Sequence, residues 1–133
     1  MMSGPEPITH AVGRAEIDRY AELSGDNNPL HMDPEYAATT PFETVIAHGP
    51  IGLQTAFEAL ARWLGSDGVP PGIRVDVSFR GPVHIDDRVT CRCEHVTDHA
   101  GDLALTLRVT NQDGREVLQA LAIVPRHLAP RDR

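Results

Sequence analysis

Between Gly13 and Ser24 the apolar residues Ile17, Tyr20, Ala21 and Leu23 recur mainly at three- and four-residue steps, with Glu16, Asp18, Arg19 and Glu22 between them. A stripe of that period lies along one face of a helix, so a short amphipathic helix is predicted here. Gly25-Asp26-Asn27-Asn28-Pro29 ends it, because Gly and Asn favour turns and the residue before a proline avoids helical geometry; a rigid loop is expected to run to about His31. Asp33-Pro34-Glu35 reads as a new start, with Asp33 as N-cap and Pro34 at the first helical position, where its missing N–H costs nothing; this helix runs through Ala38. From Pro50 to Leu64, residues Leu53, Phe57, Leu60, Ala61 and Leu64 share a face, and Ile51, Ala56, Ala59 and Trp63 widen it. That sector is too broad for a surface helix and predicts one wrapped by the rest of the fold, with Gly65 at its C-cap.

Beyond a Ser-Asp-Gly-Val-Pro-Pro-Gly loop the period changes to two. Ile73, Val75, Val77 and Phe79 alternate with Arg74, Asp76, Ser78 and Arg80, the pattern of a strand with one buried face. Val89 to Val96 and Leu103 to Val109 repeat it less cleanly, Asn111-Gln112-Asp113-Gly114 supplies a turn, and Val117 to Val124 is apolar on both faces. With a short strand near Ile8 to Val12, these make an antiparallel sheet of about five strands around one long helix. The fold class is α+β, and the pattern alone leaves several such folds open.

A length of 133 residues is that of a single domain, 1–133, with one core. The net charge of −7 and the scatter of the 12 basic residues argue against a nucleic-acid partner. No segment approaches the roughly 20 apolar residues that span a bilayer, so no membrane partner is expected and a soluble, cytoplasmic protein is. Every basic residue is an arginine, which excludes lysine chemistry such as a Schiff base or a P-loop. Cys91 and Cys93, two apart on a strand, share a face but are poorly placed to bond each other, and read as reduced core residues. With His95 they make only three ligands at strand spacing, which points to burial; neither a metal nor a cofactor is predicted.

The chemistry is concentrated in Tyr20-Ala21-Glu22-Leu23-Ser24-Gly25-Asp26-Asn27-Asn28-Pro29-Leu30-His31-Met32-Asp33, followed by Phe42 and Ile46-Ala47-His48-Gly49. Taken singly, Asp26, Asn28 and His31 would be turn formers or a half-buried polar residue. Together they resemble the signature S-G-D-x-N-P-x-H-x-D of the MaoC-like hydratases, with that family's F-x-x-x-I-A-H-G segment at the expected distance. The resemblance continues more weakly to the last strand, with a motif-bearing core of about 7–125, and implies the hotdog fold, a curved antiparallel sheet wrapped around a central helix. It also implies an (R)-specific hydratase or dehydratase acting at the 2,3 double bond of an enoyl thioester of coenzyme A or acyl-carrier protein, working as a homodimer. By the same resemblance Asp26 and His31 form the catalytic dyad, Asn28 orients the water or the carboxylate, and Gly49 offers its backbone N–H to the thioester carbonyl. Those types suit the reaction, which needs a held water, a proton for the α-carbon and donors facing the carbonyl oxygen.

Ser24 and Asp33 read as structural, and His48, beside a glycine before a helix, as a residue that holds the loop by a hydrogen bond. His10, His84, His95, His99 and His127 have no motif context. Two positions depart from the family pattern. Pro50 replaces a methionine after His-Gly, which bears on the acyl pocket wall, and Asp86-Asp87 replaces Gly-Asp, which bears on a turn. A hotdog thioesterase and a non-catalytic acyl-binding subunit are the alternative readings; the Asp-x-Asn-Pro-x-His loop and the intact dyad argue against them.

Overall fold

The computed structural model describes residues 3–131. The chain forms β1 (Ile8–Ala11), α1 (Arg14–Ser24), α2 (Pro29–Met32), α3 (Pro34–Ala38), α4 (Gly49–Leu64), β2 (Arg74–Phe79), β3 (Arg88–His99), β4 (Asp102–Thr110) and β5 (Glu116–Val124), then a 3₁₀ turn at Arg126–Leu128. The strands make one antiparallel sheet in the order β1-β3-β4-β5-β2. Leu105, Leu107 and Val109 of β4 and Leu118, Ala120, Ala122 and Val124 of β5 turn inward and meet α4, which closes the core. No helix among the described residues is long and apolar enough to cross a membrane.

The expected elements are present, with differences that have physical causes. The stretch after α1 is not all loop: Pro29–Met32 makes one helical turn, because Asn28 caps it by accepting the Leu30 N–H at 3.0 Å and Pro29 presets its first dihedral angle. Helix α4 opens one residue earlier than expected, at Gly49, and its most buried stripe is Gly52, Thr55, Ala56, Ala59 and Leu60. Small residues on that side let the helix axis approach the sheet. Leu53, Phe57 and Leu64 lie beside the contact and are half-buried, so the sheet covers the flanks of the helix less fully than its Gly52–Leu60 stripe.

The alternation in β2 predicts one buried face, but β2 is an edge strand and Val75 and Val77 are only half-buried. The irregular alternation of β3 has its cause in a bulge between Cys93 and His95. Strand β5 buries one face fully, while on its other face Leu121 stays 40% exposed. Cys91 is buried and Cys93 half-buried, both unpaired as thiols. Burial, with Cys93 adding to it, pushes the Cys91 thiol up to about 12, and burial also raises Cys93.

Candidate active site

The site begins at the end of α1. Gly25 terminates the helix with φ 77°, a left-handed conformation, and gives its N–H to Ala21 at 2.9 Å. Ser24 Oγ donates to the Tyr20 carbonyl at 2.7 Å and accepts the Asp26 N–H at 3.1 Å, so the residue read as structural fixes where Asp26 leaves the helix. Asp26 Oδ1 accepts the Asn28 N–H at 3.2 Å. Asn28 therefore orients the carboxylate through its backbone, while its side-chain oxygen is committed to capping α2. The cap aims α2 so that His31, one residue before its end, faces back toward Asp26, with Nε2 4.0 Å from Asp26 Oδ2. Arg14 Nη2 donates to the Met32 carbonyl at 3.1 Å and ties that turn to α1.

His31 has a defined proton. Its Nδ1 lies 2.7 Å from the Ile46 carbonyl, which can only accept, so Nδ1 carries the hydrogen and the lone pair sits on Nε2, facing Asp26. Asp26 and His31 thus present two acceptor atoms too far apart to bond each other. The imidazole is well shielded, with 13% of its side chain exposed, and the carboxylate is half exposed at 50%. The Ile46 carbonyl is a partner that side-chain reasoning does not find. It is held in place because Ala47 N–H donates to Val83 at 2.7 Å and Ile85 N–H to Val45 at 3.0 Å, around an antiparallel bridge between Ile46 and His84.

His48 is buried, and its Nε2 donates to the Asp26 carbonyl at 2.9 Å, the loop-holding bond expected of it. Its ring stacks on His31 with centroids 4.0 Å apart and planes at 28°, and the Tyr20 ring tilts against its other side at 4.8 Å. Next in sequence, Gly49 is exposed at the start of α4, against the Phe79 ring. Among the described residues nothing accepts the Gly49 N–H, Pro50 has none, and the Ile51 N–H is taken by the His48 carbonyl at 3.0 Å.

Asp26, His31 and His48 also offer three ligand atoms within 4.8 Å of one another. The ligand atoms not already engaged are Asp26 Oδ2, His31 Nε2 and His48 Nδ1, and the two nitrogens sit on nearly parallel stacked rings, so their lone pairs do not converge; an ion would require one ring to swing off the other. The residues do not fit a metal centre. Beside the site, between α1, β1 and α4, is a cavity of about 490 Å³ with Tyr20, Leu23, Pro50, Ile51, Leu53 and Phe57 among its walls.

An antiparallel sheet packed on a central helix, with an Asp-His pair joined through His48 to the segment that leads into that helix, defines a small α+β protein that gathers acid-base side chains at one point. Residues 3–115 match the family model described as a MaoC like domain, and the chain belongs to that family. It is 39% identical over 123 residues to an (R)-specific enoyl-CoA hydratase of Aeromonas caviae, covering 88% of each chain. It is 37% identical over 92 residues to a 3-hydroxybutyryl-CoA dehydratase of Methylorubrum extorquens, covering 67% of this chain and 56% of that one. Among solved structures, the (R)-hydratase of A. caviae superposes with a TM-score of 0.74 at 30% identity over 93% of this chain and 96% of that one. An R-hydratase of Pseudomonas aeruginosa gives 0.79 at 28% identity over 98% and 84%. The fold is accordingly that of the hotdog MaoC-like dehydratases.

Proposed function

We propose that this protein is an (R)-specific hydro-lyase that adds water to, or removes it from, the 2,3 double bond of an enoyl thioester carried on coenzyme A or acyl-carrier protein. The observation that carries the reading is the pair of acceptors, His31 Nε2 and Asp26 Oδ2, set 4.0 Å apart and each held by its own backbone contact. A water between them gives one hydrogen to each, which turns its oxygen lone pair toward a carbon placed above. As that oxygen bonds to C3, His31 takes the water's proton on Nε2, the π bond opens toward C2, and negative charge moves to the thioester oxygen. The Gly49 N–H and the positive end of α4 stabilise that oxygen. Return of one proton to C2 closes the count, and dehydration runs the same steps backwards. The cavity beside Tyr20 and Pro50 gives the acyl chain apolar walls.

The test is turnover by the purified chain alone on an unsaturated four-carbon acyl-CoA, followed by loss of enoyl absorbance and by chiral analysis of the product. Free thiol release without hydration would instead make it a thioesterase, and the (S)-hydroxyacyl product would sink the stereochemical assignment. A homodimer is part of the proposal. It is supported by the open edge of β2, by Phe79 and Leu121 at 57% and 40% exposure, and by a carboxylate half in water. Light scattering that found an active monomer would remove it.

A further inference from the structure

One side chain touches every part of the site. His48 donates from Nε2 to the Asp26 carbonyl at 2.9 Å, stacks on His31 at 4.0 Å, and is covalently joined to Gly49, the donor proposed above for the thioester oxygen. It is 2% exposed, and its Nδ1 is buried with no hydrogen-bond partner among the described residues. An unpaired buried acceptor costs folding stability, so its retention calls for a reason. A neutral imidazole combines a flat ring of the right size with an N–H at its edge. Phenylalanine lacks the N–H and glutamine lacks the ring.

We infer that His48 is a positioning residue for the hydration reaction: in its uncharged Nε2–H form it sets the spacing between the Asp26–His31 dyad and the Gly49 donor. This rests on the functional reading above. The groups facing His48 are Asp26 from the loop, His31 from α2 and Tyr20 from α1. His31 becomes an imidazolium whenever it takes the water's proton. A second positive ring stacked on it would oppose that step, and a proton on the buried Nδ1 would have no acceptor. His48 therefore serves the dyad with its N–H fixed on Nε2 and its buried Nδ1 bare, while His31 takes the water's proton.

The experiment uses the full-length protein. Wild-type turnover on an enoyl-CoA comes first; its absence would sink the hydration reading and this inference with it. In an active enzyme, His48→Gln keeps the donor without the ring and His48→Phe keeps the ring without the donor. Each is expected to lose about 10- to 100-fold in kcat with KM within about threefold, since misplacement of about 1 Å can cost 10². A merely structural role would lower the melting temperature and leave that split absent. In wild type, ¹⁵N spectra of the imidazole rings should show His48 fixed as the Nε2–H tautomer. That measurement stands even where a variant fails to fold. Native kcat in both folded variants, or a His48 ring found as the Nδ1–H tautomer, would overturn the inference.

Discussion

The oxyanion donor can be isolated by comparing Gly49→Pro with Gly49→Ala. Either substitution adds a Cβ about 3.1 Å from Phe79 Cε1, closer than ordinary contact, so the ring must yield by a few tenths of an ångström. Phe79 is 57% exposed and has room to do so. Either variant also stands directly before Pro50, and proline at 49 is compatible with the preceding residue, because His48 already has ψ 143°, the extended geometry a following proline demands. What differs is the N–H. Of the first three residues of α4, Pro50 has no donor and Ile51 gives its own to His48, so Gly49→Pro leaves no free N–H there. Loss of one such donor costs about 2.7–4 kcal/mol of transition-state stabilisation, about 10² to 10³ in kcat. The alanine variant keeps the donor and should fall far less. Initial rates at saturating enoyl-CoA, with a thermal melt for each protein, make the comparison. A folded Gly49→Pro enzyme with the kcat of Gly49→Ala would show that the donor lies elsewhere.

The same geometry sets other expectations. Asp26→Asn and His31→Ala should each lose about 10² to 10⁴ in turnover, and the double variant should be little worse than either, because the two acceptors share one water; additive losses in steady-state rates would contradict a shared role. Pro50→Met leaves the Gly49 N–H in place but changes a cavity wall, so it should alter preference across a panel of acyl chain lengths more than it alters the best rate. Asp86 is exposed with φ 71°, a left-handed conformation in which glycine is at ease; Asp86→Gly should therefore stabilise by about 0.5–1 kcal/mol, seen as a rise of a few degrees in Tm, and a fall would refute the strain at that position. Cys91, buried and raised to about 12, should resist thiol reagents at pH 8 until unfolding, whereas half-buried Cys93 reacts first. Because the folded value lies above the unfolded one, near 9, stability from Cys91 is complete below about pH 9 and declines as pH rises toward 12; a Cys91→Ala protein should lack that alkaline decline in denaturant titrations.

Features that depend on local chemistry were legible in the sequence. Asp33-Pro34 caps α3 as expected, with the Asp33 carboxylate accepting the Glu35 and Tyr36 N–H groups at 3.0 and 3.3 Å, and Asn111 organises the turn before β5. Turn α2 shows the limit: Asn28 reads equally as a turn former and as an N-cap, and the tertiary surroundings of Pro29–Met32 decide between the two. Periodicity places residues on a helical face but does not say which face a sheet will approach; on α4 the size of Gly52, Ala56 and Ala59 decided that, against the larger Leu53 and Phe57. Asp26 and His31 were recognisable as a pair through the spaced motif that resembles the family signature, since a motif is written in side-chain types. The Ile46 carbonyl that fixes the His31 proton was not, since every residue has a carbonyl.

That carbonyl has a consequence for redesign. The segment that presents it, Val45 to Ala47, is stitched to Val83 and Ile85, and these lead into the turn where Asp86 stands and where Asp87 accepts the His84 N–H at 2.9 Å. The bearing of the His31 ring is thus inherited from a hairpin remote in sequence and lined by none of the reacting groups. A library meant to change substrate while preserving rate should leave 82–87 untouched and vary the cavity walls. One meant to search for altered rate at constant substrate has in that turn a lever outside the residues that line the cavity.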